Sequence, residues 1–269
     1  MTTTTIAGLK VLVTGASSGI GAATALAFAR AGATVGICAR REQRLAEVLA
    51  GCRAHAPDSR SWTVDLSVLD GLASFADTAW QDLDGIDVLV NNAGIPKRRM
   101  ATALSTEDLD EVTAVNYLAP VHLTSAVLGG MLARGSGHVV NVSSMGAHSA
   151  AYRIGAYAAS KAALELFTEA LYLELHGTGV QAHLFVPGST RTEFSTPKPG
   201  NDAPFPQDPA SFADADDVAA ALVACLSEER FMTFANPAIE AVAARKAADP
   251  NASLAAMRQA LGARRAPAT

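Results

Sequence analysis

Tyr157 and Lys161 lie four residues apart at the start of a predicted helix, so both side chains would lie on one helical face. A phenol, with a pKa of roughly 10, is a poor base near neutrality. An ammonium group one helical turn away favours the phenolate and would lower that pKa. Isolated pairs with this spacing are more often surface residues, so the pair alone leaves both an acid–base function and a plain surface position open.

A serine upstream favours the acid–base function. Ser144 lies thirteen residues before Tyr157 and follows the apolar segment His138–Val142, which has the composition of a buried strand. Ligands of open α/β sheets bind at the carboxyl ends of the strands. We therefore expect Ser144, Tyr157 and Lys161 to form one site, with Ser143 as a competing candidate for the serine.

A glycine-rich turn occurs where the first apolar strand runs into Thr14-Gly15-Ala16-Ser17-Ser18-Gly19-Ile20-Gly21 and then into a helix. Glycines at such a turn let the backbone approach a pyrophosphate, whose charge would lie at the helix N-terminus. Three residues separate the first two glycines, unlike in the common dinucleotide fingerprint, and tight turns of this kind also occur for packing reasons. The position of the turn, between the first strand and a helix, favours a dinucleotide site.

The segments that would position these residues alternate between strand-like and helix-like. The predicted strands are Leu9–Val13, Thr34–Cys38, Ser61–Val64, Ile86–Val90, His138–Val142, Val180–Val186 and a short seventh near Arg230–Phe234. The predicted helices are Gly19–Ala31, Arg41–Arg53, Val68–Asp82, Ser105–Leu132, Gly155–His176 and Ala213–Ser227. This alternation predicts an α/β fold of the Rossmann type, a doubly wound parallel sheet of about seven strands with helices on both faces.

The composition changes after Pro187. Prolines and phenylalanines between about residues 189 and 212 predict a long loop, which we interpret as a substrate lid. Residues from about 237 to 269 predict a helical C-terminal tail. We find no internal repeat and no linker, so the sequence predicts a single domain over residues 1–269.

Together these features resemble the short-chain dehydrogenase/reductase family over nearly the whole chain through Thr192. The matching segments are TGASSGIG at Thr14–Gly21, an aspartate at Asp65, NNAG at Asn91–Gly94, Asn116, Ser144, YAASK at Tyr157–Lys161 and PGSTRT at Pro187–Thr192. They occur in the family's order and at its spacing. The resemblance implies an NAD(P)(H)-dependent oxidoreductase that interconverts a carbonyl and a secondary alcohol by hydride transfer.

The resemblance also implies a catalytic set of Asn116, Ser144, Tyr157 and Lys161. Ser144 would donate a hydrogen bond to the substrate oxygen, on which negative charge grows as hydride arrives. Tyr157 would give or take the proton. Lys161 would lower the tyrosine pKa and hold the nicotinamide ribose. Asn116 would hold a water between Lys161 and solvent, or would merely bend its helix.

Cofactor contacts follow from the same matching. The diphosphate would lie at the glycine turn, the adenine at Asp65, the adenosine ribose at Asn91 and the carboxamide at Thr192. Asp65 could instead cap the next helix, or do both. The predicted cofactor-binding residues are Gly15, Ser17, Ser18, Gly19, Ile20, Gly21, Arg40, Arg41, Asp65, Leu66, Asn91, Ala93, Gly94, Tyr157, Lys161, Pro187, Gly188, Thr190 and Thr192.

The end of the second strand predicts which cofactor is preferred. A site for NAD usually has a carboxylate there, about 20 residues past the glycines, that accepts from the ribose hydroxyl. Here Ala39 takes that place, and Arg40 and Arg41 follow. Because a guanidinium can bind a 2′-phosphate with charge-assisted bonds, the sequence predicts NADP(H), with NAD(H) less favoured.

Composition excludes several other classes. The net charge of −5 argues against a nucleic-acid partner. Three widely spaced cysteines form neither a disulfide framework nor a metal pair, and the histidines lack metal-ligand spacing, which suits a reducing cytoplasm and no metal. No apolar run is long enough for a membrane span, and the threonine-rich N-terminus does not resemble a signal peptide.

Some expectations remain open. A catalytically silent nucleotide-sensing protein on the same fold is the alternative function, and sugar-nucleotide epimerases are a second, weakened by the short chain after Pro187. We expect a homo-oligomer, dimer or tetramer, although the VDGG-like segment that many members use in a tetramer is replaced by Arg230–Ala235. Lys97-Arg98-Arg99 is expected to be a solvated loop, or to meet an acidic substrate group. His148 is expected to be an ordinary loop residue.

Overall fold

The computed structural model describes residues 4–149, 151–203 and 211–265. Its centre is a parallel sheet of seven strands in the order β3-β2-β1-β4-β5-β6-β7. The strands are β1 Lys10–Thr14, β2 Thr34–Ala39, β3 Arg60–Thr63, β4 Val88–Asn91, β5 Gly137–Val142, β6 Val180–Val186 and β7 Met232–Phe234. The predicted Rossmann-type fold is confirmed, and every strand lies within two residues of its predicted bounds.

Ten α-helices lie among the described residues. They are α1 Gly19–Arg30, α2 Glu42–Arg53, α3 Leu72–Asp82, α4 Thr106–Thr113, α5 Ala119–Arg134, α6 Met145–His148, α7 Gly155–Glu174, α8 Ala215–Cys225, α9 Pro237–Ala248 and α10 Pro250–Arg265. The last two occupy the segment predicted as a helical tail, of which residues 266–269 lie outside the described part.

Two apolar cores lie on the two faces of the sheet, because alternate strand residues point to opposite sides. Val11 and Val13 of β1 pack in one core with α1 and α8, around the fully buried Phe28. Leu12 of β1 packs in the other core with α3, α5 and α7, around Leu123. Burial of the sheet on both faces explains why the strands are apolar nearly throughout.

The chain order reverses between β1 and β4, which are neighbours in the sheet although two strands separate them in sequence. Loops after β1 and β4 therefore leave the sheet in opposite directions and open a crevice at its carboxyl edge. The glycine turn follows β1, NNAG begins at the end of β4, and Ser144 follows β5. The topology thus brings three separated motifs to one edge.

The long middle helix differs from its prediction. In place of one helix over Ser105–Leu132, α4 and α5 are joined by a π-helical turn at Ala114–Leu118. Ser105 caps α4 through a reciprocal capping box with Asp108, as the sequence suggested. The π-helical turn contains Asn116, and such turns often lie at functional sites.

The segment after Pro187 is mostly irregular. It contains a short 3₁₀ turn at Glu193–Ser195, and Thr190 forms an isolated parallel bridge with Ala213. Residues 204–210, and with them part of the predicted lid, lie outside the described residues. No helix among the described residues is long and apolar enough to span a membrane.

Candidate active site

A cavity of about 550 Å³ opens at the carboxyl edge of the sheet. Its volume falls in the range of roughly 300 to 1,000 Å³ that is typical of small-molecule sites. Besides Ser144, Tyr157 and Lys161, sixteen other predicted cofactor residues line it: Gly15, Ser17, Ser18, Gly19, Ile20, Gly21, Arg40, Arg41, Asp65, Leu66, Ala93, Gly94, Pro187, Gly188, Thr190 and Thr192.

Ser144 and Tyr157 meet at one end of this cavity. Ser144 is the N-cap of α6 and accepts a hydrogen bond from Gly146 N at 3.0 Å. Tyr157 lies in the first turn of α7, and its ring is 5.6 Å from that of Phe194. The Ser144 hydroxyl also lies within hydrogen-bonding reach of the phenol, where it acts on the tyrosine pKa. The competing Ser143 hydroxyl donates to Glu165 instead, so Ser144 is the serine that faces Tyr157.

The two titratable groups of this end have strongly shifted pKa values. Burial raises the pKa of Tyr157 to about 12, against the lowering effect of its hydrogen bond with Ser144. Burial lowers the pKa of Lys161 to about 8, and the charge of Glu165 opposes that shift. The sequence predicted a tyrosine pKa below 10, so the direction is opposite here: desolvation of the phenolate outweighs the neighbouring groups.

Lys161 is held by the sheet. Its Nζ donates to Val142 O at 2.8 Å, at the end of β5. Because a buried amine needs a hydrogen-bond acceptor, this bond fixes the ammonium group beside the cavity. One turn further along α7, the Glu165 carboxylate contacts His148 Nε2 at 3.0 Å. His148 thus lies half-buried in α6 and is not an ordinary loop residue, and its ring packs on that of Phe234.

Asn116 is fully buried and does not line the cavity wall. Its Oδ1 accepts from Ile95 N at 2.8 Å, and its Nδ2 donates to Ile95 O at 3.1 Å and to Ser160 Oγ at 3.1 Å. These bonds use both amide hydrogens. The side chain thus ties the loop after β4 to α7 and leaves only Oδ1 as an acceptor for the water predicted there.

The glycine turn packs so tightly that a side chain would not fit at its glycine positions. Gly15 has a positive φ of 67°, and a Cβ on it would lie 2.7 Å from Ala93 Cα. A Cβ on Gly21 would lie 2.4 Å from Asn92 Nδ2. The turn is therefore fixed against the NNAG segment and exposes backbone to the cavity at the N-terminus of α1, where an anion is favoured.

Asn91 differs from its prediction. Its side chain is buried and donates to Asn141 Oδ1 at 2.8 Å and to Thr124 Oγ1 at 3.1 Å, so it faces the core between β4 and α5 and not the cavity. The next residue, Asn92, lines the cavity and donates to Thr14 O at 2.9 Å. Successive strand residues point to opposite sides, which gives the two asparagines different functions.

Arg41 contacts the glycine turn directly. Its guanidinium donates to Ser17 Oγ at 3.1 and 3.2 Å, to Ser18 Oγ at 2.6 Å and to Glu193 Oε2 at 2.7 Å. Among the described residues, Arg40 forms one ion pair, a distant contact of 3.9 Å with Asp65. Arg41 therefore contacts the glycine turn, whereas Arg40 contacts the residue after β3.

Asp65 follows β3 and caps the next turn. Its Oδ1 accepts from Ser67 N at 2.9 Å and from Ser67 Oγ at 2.7 Å. Burial works to raise the pKa of Asp65, but these bonds and the charge of Arg40 outweigh it, and the pKa is lowered. Asp65 therefore does not cap the next helix, because Val68 is the N-cap of the following 3₁₀ turn and Gly71 is the N-cap of α3. Its side chain also borders the cavity.

The basic segment after Pro96 is not solvated, which corrects the sequence expectation. Lys97 and Arg98 are 5% and 6% exposed. Lys97 pairs with Asp108 at 2.8 Å and with Glu111 at 3.2 Å. Arg98 donates to carbonyl oxygens of Phe194, Thr196 and Asp202 at 3.0 to 3.4 Å. Its function is to hold the loop that follows Thr192.

Four residues on the loop after Thr192 line the cavity and were not assigned from the sequence: Glu193, Phe194, Ser195 and Lys198. Phe194 is one of the phenylalanines of the predicted lid. Burial lowers the pKa of Lys198, and the charge of Arg41 adds to that effect. No local spacing marks these residues, because they reach the cavity only when the loop folds back over it. Among the described residues, no group of three or more His, Cys, Asp or Glu side chains could hold a metal.

Comparison with known proteins agrees with this geometry. The family model for short chain dehydrogenase matches residues 9–202. A short chain dehydrogenase of Pseudocercospora fijiensis is 42% identical over 193 residues, which cover 71% of this chain and 62% of the relative. The match thus spans less than two thirds of that relative's length.

Solved structures are similar over more of the chain. A short-chain dehydrogenase/reductase of Burkholderia phymatum in complex with NAD has a TM-score of 0.83 at 25% identity, covering 93% of this chain and 96% of its own. A short-chain dehydrogenase of Sphingobium yanoikuyae in complex with NADPH has a TM-score of 0.78 at 29% identity, covering 97% and 98%.

The doubly wound sheet, with a glycine turn and a Ser–Tyr–Lys group at its carboxyl edge, has the Rossmann-type architecture. The chain belongs to the short-chain dehydrogenase/reductase family, as its motifs predicted.

Proposed function

We propose that this protein is an NADP(H)-dependent oxidoreductase that interconverts a small-molecule carbonyl compound and its secondary alcohol, with Tyr157 as the acid–base. One observation carries the proposal: Ser144, Tyr157 and Lys161 line the same cavity as the glycine turn. A candidate proton donor and a turn suited to a dinucleotide thus border one cavity.

The residues present fit a nicotinamide dinucleotide. The turn has no space for a side chain at Gly15, Gly19 or Gly21, and it could hold a diphosphate by its backbone. A Cβ on Gly94 would lie 3.5 Å from Lys161 Nζ, so the NNAG backbone also approaches the reactive end closely. Asp65 and Leu66 also line the cavity and would meet the adenine, and Thr192, beside Gly19, would meet the carboxamide. When bound, the nicotinamide would supply or accept the hydride.

The chain's own residues would handle the oxygen and its proton. Ser144 Oγ would donate a hydrogen bond to the substrate oxygen as it gains charge, and Tyr157 would transfer its proton to that oxygen. A pKa of about 12 keeps the phenol protonated at neutral pH, which suits the donor in carbonyl reduction. Lys161 would stabilise the phenolate that remains, since a cation favours the charged form.

The preference for NADP(H) rests on the end of β2. Ala39 lines the cavity and offers no carboxylate to a ribose hydroxyl, whereas Arg40 and Arg41 follow at once. The NADPH complex of the Sphingobium relative is compatible with this preference, although the NAD complex of the Burkholderia relative shows that both cofactors occur on this fold.

We further propose that residues 1–269 act as one domain, that the segment around 189–212 is a substrate lid, and that the protein is a homo-oligomer. Phe194 supports the lid, because its ring packs against the reactive Tyr157 and would exclude water from it.

The test is a panel of carbonyl compounds and alcohols, followed by nicotinamide absorbance with NADPH and NADH and with their oxidised forms. We expect turnover with at least one carbonyl class, and faster turnover with NADPH. Tight binding of the cofactor without turnover of any pair would favour the alternative, a nucleotide-sensing protein. Absence of binding would refute both.

A further inference from the structure

Glu193, on the loop after Thr192, contacts the arginines at the adenosine end of the cavity. Its Oε2 lies 2.7 Å from Arg41 Nη1, and its Oε1 lies 3.5 Å from Arg44 Nη2. The carboxylate therefore bridges two guanidinium groups beside Ser17 and Ser18. Arg41 forms hydrogen bonds with both hydroxyls.

The Glu193 carboxylate occupies the position beside Arg41 and Arg44 in which a phosphate group would bind. Guanidinium groups bind carboxylates and phosphates through the same charge-assisted hydrogen bonds. A phosphate near Arg41 would need the donors that Glu193 now uses, and it would be repelled by the carboxylate if Glu193 stayed in place. The hydrogen bond with Arg41, and then its charge, hold the pKa of Glu193 below its usual value, so the side chain stays ionised at neutral pH.

We propose that Glu193 is a specificity-determining residue, whose carboxylate competes with the 2′-phosphate of the cofactor for Arg41 and Arg44. The inference rests on the proposed NADP(H) function and deepens it. Glu193 lowers the affinity for NADP(H), which carries the 2′-phosphate, and leaves the affinity for NAD(H), which lacks it, nearly unchanged. Glu193 thereby sets the ratio of the affinities for NADP(H) and NAD(H).

The expected size of the effect follows from exposure. The side chains of Arg41 and Glu193 are 46% and 43% exposed, so water and salt screen their attraction. Exposed ion pairs contribute little, which corresponds to about two- to fivefold in affinity. Glu193 can therefore be displaced by a phosphate, and the competition adjusts the affinity without blocking the site.

The experiment measures binding of two adenosine nucleotides by calorimetry, independently of turnover. Adenosine 2′,5′-bisphosphate has the 2′-phosphate, and adenosine 5′-monophosphate lacks it. We expect Glu193→Gln to bind the bisphosphate about two- to fivefold more tightly and the monophosphate as before. The gain should shrink in 0.5 M KCl, because screening weakens the competing ion pair.

Two further variants identify the cause. Glu42→Gln removes the same charge next to Arg41, at a residue that forms no ion pair within the described part of the chain, and should change neither affinity. In an Arg41→Gln background, Glu193→Gln should lose most of its effect, because the shared partner is gone.

An equal change in the affinities for both nucleotides in Glu193→Gln, or no change in either affinity, would refute the proposed competition. Should the natural protein bind neither nucleotide, the proposed function itself fails. If it binds both and Glu193→Gln has no effect, the proposed function stands and only the competition is refuted.

Discussion

The two ends of the cavity are built on different physical principles. At the end beside Ser144, Tyr157 and Lys161 are buried, and burial shifts their pKa values to about 12 and about 8. At the end beside the glycine turn, where we propose that adenosine binds, Arg41 and Glu193 are nearly half exposed and pair with each other in contact with water. A buried group has few replacements, whereas an exposed ion pair is easily exchanged for another.

Substitutions at the buried groups should therefore have large effects on turnover, and substitutions at the exposed charges should have small effects on cofactor preference. Removing a single buried group should abolish a step, because no other group can supply its proton or charge. Changing an exposed charge should adjust a preference, in a way that depends on salt.

Tyr157→Phe should lower turnover about a hundred- to ten-thousandfold, because it removes only the proton donor. Binding of the cofactor should survive. The measurement is steady-state turnover on the best substrate of the panel, with cofactor affinity determined separately. Tyr172→Phe is the matched control, since it makes the same change on α7 where the ring packs on Phe231. Near-normal turnover in a folded Tyr157→Phe protein would refute the mechanism.

Lys161 should make stability depend on pH. In the folded protein its pKa is about 8, against 10.5 for a free side chain, so the folded protein loses this proton first as pH rises. Between these values the unfolded chain binds more protons, and the free energy of unfolding should increase by up to about 3 kcal/mol.

Urea unfolding from pH 7 to 10 measures this increase as the difference between the natural protein and Lys161→Met. Lys246→Met, on α9, is the control for removing a lysine elsewhere. Parallel pH curves for the natural protein and Lys161→Met would show that the amine titrates as it does in water.

Ala39→Asp/Arg40→Ser should reverse the cofactor preference by about ten- to a hundredfold. The new carboxylate would accept from a ribose hydroxyl and repel a 2′-phosphate, and one guanidinium would be lost. The measurement is kcat/KM with NADPH and NADH. Arg60→Ser is the control: it also removes an arginine, at the start of β3, whereas Ala39 pairs with Thr63 at the end of that strand. A natural preference for NADH, or an unchanged preference in the double variant, would contradict our interpretation of this strand end.

The smallest expected effect is on the rate of proteolysis of the loop that Arg98 holds. Chymotrypsin should cleave near Phe194 a few-fold more slowly when cofactor and substrate are bound, because a closing lid protects its own backbone. Arg98→Ala should accelerate cleavage, since three carbonyl oxygens of the loop lose their donor. Equal protection with and without ligands would count against a lid.

The sequence by itself determined the sheet and the reactive group. Strands buried on both faces must be apolar, so β1, β4 and β5 could be located from composition. The glycine turn could be recognised because its glycines stand between the first strand and a helix. Tyr157 and Lys161 share one turn of a helix, and local spacing is enough to pair them.

Only the tertiary structure decided the direction of single side chains and the contacts between distant segments. Asn91 turns to the core because Asn141, its register partner on the neighbouring strand β5, accepts its hydrogen bond there. Burial, which depends on every element around a residue, reversed the expected shift of the Tyr157 pKa. The Arg41–Glu193 contact joins residues 152 positions apart, and no local pattern encodes it. Such contacts arise only when the loop folds over the sheet edge, because packing and charge select partners by distance in space.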